Sequence, residues 1–274
     1  MTTPPSSDDI LADAFREELS YISRRGDPFN EARNALADRG PGALSRQTEA
    51  ISVLSTWLFL HGLLQRREGD DSAWGWVHAG TVLRIAHDLV VGVWSEEAYL
   101  AAFSLFAFSD DVRAGKAARF FFHVQPHSEP RSPTDGLLAA LGAALNPDIE
   151  TEMLSWGRRR LGDYALLLDA ASKDKLERAI PATCDYHLAR GRPVGDGEYH
   201  EWQDYPWAIE VVGAATALAK RRKWQIELPD HPCLPKRWRK FPNFRHVRSN
   251  SEAIDLCKQY LENWSFTGWP MPSV

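Results

Sequence analysis

Apolar residues spaced three and four apart recur along almost the whole of this 274-residue chain, and no segment alternates apolar and polar residues for long enough to make a strand. The clearest case is Val82, Ile85, Ala86, Leu89, Val90 and Val93, which fall at i, i+3, i+4, i+7, i+8 and i+11. Such spacing lines one face of a helix and leaves little else for the segment to be. From Ala43 to Arg67 the apolar residues spread round most of the circumference, with Leu44, Ile51, Leu54 and Leu58 on one face and Val53, Trp57, Leu60 and Leu64 on the next. That distribution predicts a helix buried on several sides.

Breakers divide the pattern into segments. A helix over 8–25, with Ile10, Leu11, Ala14, Phe15, Leu19 and Ile22 on one side, stops at Gly26, and one over 28–38 stops at Gly40-Pro41-Gly42. Gly69 to Ser72 reads as a turn with helix-capping residues, and Arg84 and Asp88 fall at pairing distance on the outer face of the helix that follows. Further helices are expected from Ser95 to Phe108, from Ser109 to Phe122, and over about 134–145, 147–170 and 172–190. The segment 127–134, with Pro130 and Pro133, reads as a connection between two halves. The fold class is therefore all-α: a multi-helix bundle, or two packed sub-bundles over 8–126 and 134–264 with a C-terminal strap at 265–274.

The stretch from Glu201 to Pro235 organises the second half. Asp204 reads as an N-cap with Pro206 in the first turn, followed by Ile209, Val212, Ala215, Thr216 and Ala219 on one face. Gly213, Ala214, Ala215 and Ala217 are small enough to admit another helix closely, and Lys220 to Lys223 place cations at the negative end of the helix dipole. A central packing helix is the expectation. Residues 225–249 have no dominant period and should be irregular, before a last helix over 250–263.

Bulk properties narrow the function. Cys184, Cys233 and Cys257 are widely spaced, odd in number and form no CxxC pair, which argues against a disulfide framework and a zinc knuckle and favours a reducing, cytoplasmic setting. Cys184, without an adjacent Lys or Arg, reads as structural. The N-terminus lacks the basic-then-apolar order of a secretory signal, and no uninterrupted apolar run is long enough for a membrane span. The formal charge of −5 conceals an asymmetry: residues 219–248 hold ten Lys or Arg against two acids, a net +8, while residues 1–218 hold 21 bases and 32 acids, a net −11. A mostly acidic body suits a protein partner with a basic face better than nucleic acid.

No motif for phosphate cradling, nucleophilic attack or metal ligation stands out. His123 and His127 are four apart, but Pro126 intervenes and the glutamate of a zinc-protease helix is missing. His78 and the His87-Asp88 pair read as hydrogen-bonded, partly buried residues, and Asp185-Tyr186-His187 has no evident nucleophile to orient. No catalytic, cofactor or metal residue is therefore assigned. The candidate site is a partner-binding one: Asp196, Glu198, Tyr199, Glu201, Trp202 and Asp204, four acids interleaved with two large aromatics after a glycine-broken loop. Rigid aromatic anchors among steering charges are what a protein interface uses.

The segment Trp202-x-Asp204-Tyr205-Pro206-x6-Gly213-Ala214-Ala215-x-Ala217-Leu218-Ala219, leading to His231-Pro232-x-Leu234-Pro235, resembles bacterial immunity proteins, in particular the Immunity protein 49 family. The division near 127–134 is also similar to the two-part helical immunity family that neutralises PD-(D/E)xK-type DNase toxins. What the resemblance implies is a non-enzymatic inhibitor that binds one cognate toxin domain and blocks its active site or its substrate path; no cofactor, membrane or direct nucleic-acid contact is expected, and a nuclease with a basic face would suit the acidic body. The alternatives are a helical enzyme with a His/acid or metal site, and a helical scaffold or adaptor.

Overall fold

In a computed structural model, which describes residues 6–124, 130–146, 148, 150–190 and 207–272, the chain is all-α: twelve α-helices and several short 3-10 turns, with no strand among the described residues. Two compact units share them. One comprises residues 12–101 and 242–274, the other residues 1–11 and 102–241.

The first unit is organised on an antiparallel pair, α3 (Ala43–Arg67) and α4 (Trp74–Val91), joined by a short 3-10 turn that Asp70 caps through its carboxylate on the Ser72 N–H. The residues of α4 from Gly75 to Asp88 are nearly all buried, and each large apolar side chain removed from water contributes about 1.5–3 kcal/mol. Around the pair lie α2 (Pro28–Ala37), started by Asp27 with Pro28 in the first turn, and α12 (Ser251–Asn263), started by Asn250 on the Ala253 N–H. Most of α1 (Ser7–Arg25) and the start of α5 (Glu96–Ala107) complete it. Phe29, Trp57, His61 and Trp76 form an aromatic cluster, in which Trp57 stacks on His61 at 4.4 Å.

Arg84 does not pair with Asp88 on an outer face. Both are buried: the Arg84 guanidinium donates to the Ser52 hydroxyl, the Ser52 carbonyl and Thr56 Oγ1, while Asp88 accepts from the Ser95 N–H at 2.6 Å and contacts His87 Nδ1 at 2.8 Å. An i, i+4 spacing gives proximity along a helix; the neighbouring helix decides whether that face meets water. The apolar stripe of α4 also stops short of Val93, which is exposed, because the left-handed Gly92 ends the helix. As expected, His78 is buried and hydrogen-bonded, its Nδ1 lying 2.7 Å from the Ser249 hydroxyl.

The second unit holds α6 (Asp111–Val124), α7 (Pro133–Ala143), α8 (Glu150–Gly157), α9 (Ala165–Leu168), α10 (Lys173–Arg190) and α11 (Ile209–Arg221). A capping box starts α7: the Ser132 hydroxyl accepts from the Asp135 N–H, and the Asp135 carboxylate accepts from the Ser132 N–H. The single helix expected over 147–170 is instead α8, two 3-10 turns and α9. Gly162, at φ +53° in the left-handed region, turns the chain where apolar spacing alone would have continued it.

The expected central helix is α11, and it is packed on nearly all sides: Ile209 to Ala215 are all buried. It begins at Ile209, later than expected, with Trp207 and Ala208 outside it; Asp204 and Pro206 lie outside the described residues. Its close approach is real. A Cβ on Gly213 would stand 2.5 Å from the Phe103 carbonyl oxygen, so α5 backbone runs against α11 there. Beyond α11 the chain is irregular to Asn250 except for one 3-10 turn, and buried Trp207 and Trp238 pack with the half-buried Phe241, which stacks on Trp207 at 6.2 Å.

Candidate functional site

Asp196, Glu198, Tyr199, Glu201, Trp202 and Asp204, the expected partner contacts, lie outside the described residues, as does His127. What the structure shows is a buried polar cluster in the second unit, built by α10, α11 and the turn after α11.

Helix α10 buries Leu176, Ala179, Ile180, Thr183, Cys184 and His187, spacings of three and four that turn Cys184 and His187 inward together. Glu210 enters from the first turn of α11, where the positive end of the helix dipole favours a carboxylate. Its Oε1 lies 2.5 Å from His187 Nδ1 and accepts the Tyr164 hydroxyl at 2.6 Å. All three side chains are sealed from solvent. Arg190 closes the group, its guanidinium over the Tyr164 and Tyr186 rings and within reach of Thr134 Oγ1.

The electrostatics fix the protons. Burial alone would push the Glu210 carboxyl up, but the His187 charge and the hydrogen bonds from His187 and Tyr164 outweigh it and hold the group below the ordinary carboxylate value. Burial, followed by the Glu210 charge, pushes the Tyr164 hydroxyl far above its usual range, so it remains a donor. Glu210 is thus an ion buried with its partners, and Oε2 has no hydrogen-bond partner among the described atoms. Removing one member of such a pair costs about 3–5 kcal/mol, because the other is left charged and unpaired.

Beside this network stands a second group. Pro232 sets a turn in which the Leu234 N–H donates to the His231 carbonyl at 2.9 Å, and the Cys233 carbonyl accepts the Ala208 N–H at 3.0 Å, which ties the turn to the approach of α11. The turn brings His231 and Cys233 onto Cys184 of α10. The Sγ atoms of both cysteines and a His231 ring nitrogen all lie within 4.8 Å of one another. His231 Nε2 is 3.1 Å from the Asp185 carboxylate, and its Nδ1 accepts the Cys233 N–H at 3.4 Å and lies 3.1 Å from Cys233 Sγ. A hydrogen bond from Cys184 holds the Cys233 thiol below its ordinary value against the opposing effect of burial, aided by His187 and His231; the same bond, then burial, pushes Cys184 up.

Cys184, read from the sequence as structural, is buried; its neighbours His231 and Cys233 were missed, since they lie 47 and 49 residues away in the chain. The local His-x-Cys spacing was the one available sign. Glu210 also carried a signal, a single acid inside the apolar run from Trp207 to Gly213. His187, which the sequence placed beside Asp185 and Tyr186, pairs instead with Glu210.

No helix among the described residues is long and apolar enough to cross a membrane. Comparison with known protein families, with curated proteins and with solved structures finds no match to this chain.

Proposed function

We propose that this protein is an immunity protein, a non-enzymatic inhibitor that binds one toxin domain through a negatively charged face. A nuclease with a basic nucleic-acid-binding surface is the toxin whose chemistry fits. The observation that carries the reading is the grouping of like charges in the first unit. Glu17 and Glu18 are exposed on α1, Glu97 is exposed in the first turn of α5, and the Glu18 carboxyl is raised by partial desolvation and by the charges of Glu97 and Glu17. Acids held together in the free protein repel one another, and a cationic partner relieves that repulsion.

Two further features support it. The net charge of −11 over residues 1–218 would steer a basic domain from a distance, and the segment 202–235 carries the resemblance to immunity families. The ionisable groups of the buried cluster are engaged with one another, as suits a rigid scaffold. The test is protection. Cells expressing the toxin domain of the polypeptide encoded beside this chain should survive when the chain is co-expressed, and the two should purify as a stoichiometric complex; death with no complex overturns the reading.

A further inference from the structure

We propose that Cys184, Cys233 and His231 form a zinc site that clips α10 to the turn following α11. The inference is independent of the proposed function. It rests on donor chemistry, spacing and tautomer.

Two sulfurs and one imidazole nitrogen are a donor set selective for zinc over magnesium or calcium, which take oxygen ligands. In a tetrahedral site with Zn–S near 2.3 Å and Zn–N near 2.0–2.1 Å, the donors stand roughly 3.5–3.8 Å apart. Here all three lie within 4.8 Å, with His231 Nδ1 already 3.1 Å from Cys233 Sγ, so side-chain movements of about an ångström close the site. Both cysteines are fully buried, whereas Asp185 beside His231 is largely exposed, which gives the ion a way in from the His231 side. Two thiolates neutralise the dication, so the occupied site buries no net charge.

The histidine is set in the right tautomer. With Nε2–H donating to Asp185, the lone pair is on Nδ1, where it accepts the Cys233 N–H at 3.4 Å, a long bond that a metal ion would displace. A carboxylate behind a metal-binding histidine is the usual orienting arrangement, so Asp185 is a positioning residue. Ligation requires both thiols as thiolates. Binding releases two protons, one from each thiol, and affinity therefore rises with pH. Three protein donors leave the fourth tetrahedral position to water.

The test uses the full chain, reduced, stripped of metal with a chelator and titrated with zinc and separately with cobalt(II). The expected result is one equivalent per chain, with thiolate-to-cobalt charge-transfer absorption and a higher thermal midpoint on zinc binding. C184S, C233S and H231Q should each weaken binding by roughly 100-fold, D185N by roughly 10–100-fold with the pH dependence of binding altered, and C257S, at a buried cysteine of the first unit, should leave it unchanged. H231Q retains both thiols and is read with helix content by circular dichroism, so that unfolding is not mistaken for loss of a ligand. Failure of the fully reduced protein to bind zinc overturns the proposal, as does full stoichiometry in the C184S/C233S double variant or isolation of a Cys184–Cys233 disulfide that reforms in preference to metal binding.

Discussion

His187 Nδ1 and Glu210 Oε1 stand 2.5 Å apart with both side chains buried, one from the middle of the polar cluster on α10 and the other from the first turn of α11. The pair joins two helices that sequence spacing alone would have packed through apolar contacts. Its strength depends on Glu210 keeping its charge.

Stability should therefore depend on pH through this carboxylate. Its folded value lies below the ordinary 4.5, so its contribution is complete above about pH 4.5 and is lost as pH falls through the folded value. Glu210→Gln keeps the shape and the Tyr164 hydrogen bond but leaves His187 without a counter-charge, for a cost of about 3 kcal/mol near neutral pH. Urea denaturation of both proteins between pH 7 and pH 3 checks this: the difference should shrink as the solution is acidified. A difference independent of pH would assign Glu210 a packing role only.

Gly213→Val should destabilise the protein by more than about 2 kcal/mol, since any Cβ would meet the Phe103 carbonyl oxygen at 2.5 Å and two backbones would have to separate. Gly69→Ala is the contrast: a Cβ there meets nothing within 4 Å, and the cost is confined to its φ of +105°. Thermal midpoints of the two variants measure the ordering. Equal losses would mean that α11 tolerates displacement from α5.

Much of the fold was legible in the sequence, and the misses share one cause. Periodicity located α1 to α7 and α10 to α12 because each has a face of residues that must leave water together. It joined α8 to α9 because the spacing of apolar residues carries no information on the left-handed Gly162 between them. It also put Arg84 outside, although Ser52 and Thr56 of the adjacent helix satisfy it in the interior. The polar cluster was illegible for a related reason: Tyr164, Cys184, Glu210 and His231 become neighbours only through tertiary packing.

Docking of a basic partner on Glu17, Glu18 and Glu97 should release protons. The Glu18 carboxyl is raised in the free protein, and a cation beside it would lower that value, so association should strengthen as pH rises through the carboxylate range. Titration calorimetry at about pH 4.5–5 in buffers of different ionisation enthalpy counts the protons. Net proton release is expected. Proton uptake, or none, would place the partner elsewhere.

The most direct measurement is the affinity of this chain for the toxin domain encoded beside it, taken at low and high salt for the wild type, for the Glu17→Lys/Glu18→Lys variant and for the Glu198→Lys/Glu201→Lys variant. A dissociation constant of roughly nanomolar or tighter is expected, weakened by salt and by at least about tenfold in the first variant. The second variant tests whether the segment from Asp196 to Asp204 shares in the contact. No complex at micromolar concentrations of both proteins, or an affinity indifferent to salt and to both charge reversals, would contradict the account.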